Sequence, residues 1–137
     1  PSFNTIILNS RTSALANDLT GAINLARSEA VKRSQPVRLC PGADEADCAD
    51  GTWEDGWFVL VEGTAVALRR WPAPDAAANF IEQPTTPVTF GELGQLLSPA
   101  PADALFEVQV DGCRGDRARQ LQIGSVGRVT TERVACT

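Results

Sequence analysis

Along the first quarter of the chain, apolar residues recur at Leu8, Leu15, Leu19, Ala22, Ala26 and Ala30. The steps of three, four or seven are the repeat of a single helix face. Arg11, Asp18, Arg27, Glu29 and Lys32 are among the polar residues that fill the rest of the surface. Pro36 pushes Gln35 out of the helical region, so the pattern predicts a helix that stops near Ser34. A continuous helix from Phe3 to Ser34 spans about 48 Å, longer than a compact domain of this size needs. Its first two turns carry Phe3, Ile6, Ile7 and Leu8, an apolar cluster that the stripe farther along does not explain. A helix with one buried half and one projecting apolar end has the form of an assembly device, with Phe3, Ile6 and Ile7 as candidate partner contacts.

Beyond Pro36 the pattern changes to period two and short apolar runs, which predict strands. Val37-Arg38-Leu39-Cys40 alternates, as does Phe106-Glu107-Val108-Gln109-Val110. Trp57–Val61 and Thr64–Arg69 flank Glu62-Gly63, a two-residue hairpin signal. Arg119–Ile123 and Arg128–Val134 flank Gly124-Ser125-Val126-Gly127, a second hairpin. Asn79–Glu82 and Val88–Phe90 are expected as short strands, kept to an edge or a loop by Pro84 and Pro87. Leu93–Ala104, which contains Pro99 and Pro101, is expected as a surface loop. The expected class is α+β: one long N-terminal helix, residues 1–35, packed on antiparallel β-sheet formed by residues 36–137.

At 137 residues the chain suits one domain with a real core. No run approaches 18 apolar residues, so nothing in the sequence itself spans a membrane. The chain begins at proline and holds no methionine, and its true start is expected to have been removed. Carboxylates outnumber cations by 17 to 12, which argues against a protein that binds nucleic acid mainly by neutralising phosphates. The charges are segregated. Ala43–Gly63 is acidic without a single Lys or Arg, whereas Arg114, Arg117, Arg119, Arg128 and Arg133 lie near the end. Solvated faces of opposite sign are the plain expectation.

Four cysteines fall as two pairs, Cys40 with Cys48 and Cys113 with Cys136. Three connectivities can be drawn, and the sequential one is favoured because each pair encloses a segment rich in turn residues. A zinc site normally shows C-x-x-C or a histidine, and the chain has neither. Two disulfides imply an oxidising compartment.

The absence of histidine removes His-assisted nucleophiles and His-ligated metals together. Asp44-Glu45-x-Asp47 lacks the spacing of a calcium loop. Asp55 and Glu62 supply a carboxylate pair for glycosidase chemistry only if they converge, and a charged loop is the simpler account. Trp53 and Trp57 are expected to pack in a core rather than to offer stacking platforms for sugars. No catalytic constellation and no cofactor motif is present.

The assembled residues resemble those of the GspH/FimT/FimU pseudopilin family. Asn17-Asp18-Leu19 leading to Ala26-Arg27-Ser28-Glu29-Ala30-Val31-Lys32-Arg33, followed by Pro36-Val37 and Leu39-Cys40, resembles the helix exit and first strand of these proteins. Trp53-x-x-Gly56-Trp57-x-Val59 matches their "W-x-x-G-W" strand, and Gly127-Arg128-Val129 before Cys136 resembles the close of their last hairpin. The likeness covers nearly the whole chain and is weakest between Trp71 and Pro101.

The resemblance implies a pilin-like head on a helix continued by a membrane segment, after a leader that a prepilin peptidase cuts and N-methylates. Pro1 would then kink the helix as it leaves the bilayer. The implied function is that of a minor pilin, which primes the type IV pilus and enters it near the tip. The implied partners are other minor pilins and the major pilin, with the inner membrane reached through the preceding segment. The head would be periplasmic before assembly and extracellular in the fibre. FimT-like relatives resemble DNA receptors through a Gly-Arg-x-Arg element. Here Gly127-Arg128 is present but Thr130 replaces the second arginine, which leaves Arg128 as the one candidate phosphate contact and disfavours DNA as a partner. A GspH-type subunit of a type II secretion pseudopilus shares the same implied fold.

Overall fold

The computed structural model describes residues 3–45 and 48–137. The helix α1 runs Phe3–Arg33, 31 residues without a break. Ser34 closes it in the left-handed conformation, at φ 54°. The Gln35 N–H donates to the Ala30 carbonyl at 3.3 Å and the Ser34 N–H to Val31 at 3.4 Å. That double bond pattern is a Schellman cap, and it satisfies carbonyls the helix leaves open. Lys32 and Arg33 in the last turn complement the helix dipole and both pair with Glu29, at 3.7 and 2.8 Å.

Nine strands follow among the described residues: β1 Val37–Pro41, β2 Trp57–Val61, β3 Ala67–Trp71, β4 Ala78–Glu82, β5 Val88–Phe90, β6 Leu96–Ser98, β7 Leu105–Val110, β8 Ala118–Ile123 and β9 Val129–Val134. They form two antiparallel sheets, β3-β2-β1-β5-β6 and β4-β7-β8-β9. The helix lays Leu15, Leu19, Ala22, Ile23, Ala26 and Ala30 against both, in one shared core. The alanines permit close approach, while Leu19 and Ile23 are fully buried. Each of those two side chains contributes about 1.5–3 kcal/mol relative to exposure.

The β2 run shows why a strand need not alternate. Val59 and Trp57 join the main core, while Phe58 and Leu60 point to the other face, where Cys40, Cys48 and Ala67 cover them. Both faces are sheltered, so all five residues are buried. On β7 the even positions Phe106, Val108 and Val110 are buried, as the alternation predicts. Sheet β4-β7-β8-β9 ends in β9, which is exposed at Thr130–Arg133 as an edge strand.

Three expectations are corrected. β5 is an interior strand, because Pro84 and Pro87 lie ahead of it rather than within it and cost it no donor. Leu93–Ala104 is not loop throughout, since β6 pairs there with β5. Glu62-Gly63 is not a two-residue hairpin: Thr64–Val66 stay in the connection, and β3 runs on to pair Trp71 with Trp57.

Candidate functional site

The helix meets the sheets unevenly along its length. Phe3 is 78% and Ile6 58% exposed, whereas Ile7 and Leu8 are half-buried. Leu8 lies so near Gly112 that a Cβ there would stand 3.0 Å from its Cδ1. Contact with the head is thus made at Leu8, while Phe3 and Ile6 are exposed. Of the expected partner contacts, Phe3 and Ile6 are exposed and Ile7 is half-buried. Pro1 and Asp47 lie outside the described residues.

At the opposite end of the helix is a clasp that sequence reading missed. Arg27 Nε donates to the Gly94 carbonyl at 3.1 Å. Gly94 and Gly127 both hold positive φ, 81° and 88°. A Cβ at Gly127 would stand 1.9 Å from the Gly94 carbonyl oxygen and 3.0 Å from Arg27 Nε. The Leu96 N–H donates to the Ser125 carbonyl at 3.0 Å, joining the edge of one sheet to the β8–β9 hairpin of the other. Gly127 is thus a point where two backbones touch. Val31, Leu93 and Val126 stand exposed around the clasp. Arg128, the candidate phosphate contact, follows it directly and is exposed, as is Thr130.

Nearer the free end of the helix, Arg119 Nη2 donates to Asn9 Oδ1 at 3.3 Å and Ser13 Oγ at 3.2 Å. Its Nη1 donates to the Arg117 carbonyl at 2.9 Å. Burial, and then the charge of Arg133, pull the Arg119 guanidinium below the usual arginine range, with Asp116 opposing. Arg114 and Arg117 line a small hollow with Leu8, Asn9 and Thr12.

The cysteines are joined as Cys40–Cys48 and Cys113–Cys136, with Cα–Cα distances of 4.8 and 5.8 Å. The second bridge pins the tail beside the β7–β8 connection. There the Cys136 N–H donates to Gly115 at 2.8 Å, and Gln109 bonds both ways to Thr137.

The residues weighed for chemistry have structural partners. Trp53 and Trp57 are each 1% exposed, and Trp53 meets Phe106 edge-on at 4.8 Å while its indole N–H donates to Pro84. Asp55 accepts from Thr52 and Glu62 from Arg38, so the two carboxylates serve separate contacts. Glu45 accepts from Arg70 and from the Ala67 N–H. Chiefly through the Arg70 bond, its carboxyl is held down at about 2. Among the described residues no group of three or more His, Cys, Asp or Glu could hold a metal ion, and no helix is long and apolar enough to cross a membrane.

The sequence model of the family described as type II transport protein GspH matches residues 15–127. The crystal structure of the type IV minor pilin FimU of Pseudomonas aeruginosa (strain PAO1) in space group P21 superposes with a TM-score of 0.65 at 25% identity. That match covers 96% of this chain and 92% of that one. The P65 form of the same protein gives a TM-score of 0.63 at 24% identity, over 88% and 91%. No curated protein matches the chain.

Proposed function

Because this chain belongs to the GspH family, we propose that it is a minor pilin that helps to prime the type IV pilus and is incorporated near the tip, linking other minor pilins to the major pilin. Its family and structural neighbours are pilins, structural proteins rather than enzymes. The observation that carries the finer reading is the exposure of two apolar residues at the start of α1. Phe3 and Ile6 are exposed on a helix whose later turns are sealed into the head. Isolated, those side chains gain nothing; against the helices of neighbouring pilins they would be covered. The reading places a membrane segment ahead of Phe3, a periplasmic head before assembly and an extracellular one after it.

Support also comes from the FimU match, which spans the helix and both sheets at near-full coverage. A second reading, a minor pseudopilin of type II secretion, is favoured by the family's own description. The experiment that separates them is a pull-down of this chain, bridges formed, against soluble heads of the major pilin, of the other minor pilins and of secretion pseudopilins. Capture by minor pilins at moderate salt supports pilus priming. Capture by secretion pseudopilins alone transfers the chain to the secretion system.

A further inference from the structure

Across the β8–β9 ladder, Arg119 stands directly opposite Arg133. Like charges in that position disfavour strand pairing. Arg119 is folded onto Asn9 and Ser13 of the helix, and Arg114 and Arg117 border the hollow that Asn9 also lines. None of these four arginines forms an ion pair among the described residues. Asp116 is the carboxylate nearby that acts on Arg119, and Asp111 is engaged by Asn79. In a chain of formal charge −5, four guanidinium groups therefore gather on one side of the helix, beside Asn9–Ser13.

Beyond this cluster the helix exposes Phe3 and Ile6. Apolar tips beyond a cluster of arginines match a bilayer surface, where the tips enter the acyl boundary and the arginines reach lipid phosphates. Nucleic acid supplies phosphates but no apolar phase for Phe3 and Ile6. We propose that Arg114, Arg117, Arg119 and Arg133, with Phe3 and Ile6 projecting beneath them, form a docking surface for an anionic phospholipid bilayer. The inference rests on the minor-pilin reading in taking the N-terminal end of α1 as the membrane-facing end. Docking holds the head upright on the membrane until the subunit enters a fibre, where Phe3 and Ile6 exchange lipid for neighbouring helices.

The test is sedimentation of the whole chain with vesicles of equimolar phosphatidylglycerol and phosphatidylcholine, and with phosphatidylcholine alone. Binding to the anionic vesicles only, weakening as salt rises, is expected. A basic residue near such a surface contributes about 1 kcal/mol, roughly fivefold, so Arg114→Glu with Arg133→Glu weakens partition by at least about tenfold. Both residues are exposed, so the fold tolerates the change. Lys32→Glu with Arg128→Glu alters net charge equally at the other end of the molecule and leaves most of the binding in place. Phe3→Ser with Ile6→Ser keeps the charge and also weakens partition.

No sedimentation with anionic vesicles at low salt overturns the proposal. So does equal loss in the two charge-reversal variants, or indifference to the Phe3 and Ile6 changes. A shift of duplex DNA that the Arg114 and Arg133 changes abolish, without vesicle binding, assigns the surface to nucleic acid instead. No other pilin is present in these assays, so silence in the head pull-down with vesicle binding intact removes the minor-pilin reading alone.

Discussion

Replacing Gly127 by alanine tests whether the clasp between the sheets is a structural requirement. The new Cβ meets two separate penalties. The first is the positive φ of 88°, which costs an L-residue roughly 1–2 kcal/mol. The second is the Gly94 carbonyl oxygen at 1.9 Å, which must retreat by more than about 1 Å to reach ordinary contact. Gly94 cannot retreat alone, because its N–H donates to Gly91, Gly91 donates to Gln95, and its carbonyl accepts from Arg27. Displacing a packed unit of this kind costs about 1–3 kcal/mol, for a total of about 2–5 kcal/mol. Gly63 isolates the first penalty: its φ is 86°, and nothing lies within 4 Å of a Cβ there. With an unfolding entropy of about 2.1 cal/mol/K per residue, 1 kcal/mol shifts the melting temperature by about 3.5 °C. Thermal unfolding with bridges intact should show Gly127→Ala lowered by about 7–17 °C and Gly63→Ala by about 4–7 °C. Equal melting temperatures for the two variants would refute the argument from backbone contact.

Ser34→Gly relieves the left-handed cap without removing a bond and should raise stability by about 0.5–1 kcal/mol in urea denaturation; a loss would mean that the serine side chain matters to the cap. Glu45, held at about 2 against an ordinary 4.5, has a depressed folded-state pKa. Its contribution to stability is complete above about pH 4.5 and is lost as the pH falls through about 2. In Arg70→Gln an NMR titration of the Glu45 carboxyl should return toward 4.5, and an unmoved midpoint would exclude Arg70 as the cause. Replacing Cys113 and Cys136 with serine opens a loop of 23-residue separation and should cost about 3 kcal/mol in denaturant, mostly through the unfolded state. A loss below about 1 kcal/mol would show that the tail's bonds to Gln109 and Gly115 hold it without the bridge.

Much of this architecture is written locally. The stripe from Leu15 to Ala30 needs only helical spacing to be seen, and the end of the helix follows from Pro36. Alternation likewise picks out β7 without knowledge of its neighbours. What failed was what depends on remote partners. β6 is three residues beside a proline, and only the register of β5 makes it a strand. Arg70 lies one residue past the expected Thr64–Arg69 strand, and only its pairing opposite Phe58 shows that β3 runs on. The clasp joins Arg27, Gly94 and Gly127, positions too distant for any window to relate. Its local trace was a glycine before Arg128, which carried no sign of the backbone it would touch. The Arg119–Arg133 apposition appears only once the β8–β9 register is fixed. Of the unexplained apolar residues at the start of the helix, Phe3 and Ile6 are exposed. Ile7 is half-buried rather than exposed.

Under a pulling force the two bridges would have a mechanical meaning. Each sits in a separate stretch of chain, closing separations of 8 and 23 residues. If a pulling force tore the strands apart, those stretches could not be paid out as slack. At about 3.4 Å per extended residue, on the order of 100 Å of extension is withheld. An oxidised subunit under load is accordingly a shorter tether than a reduced one.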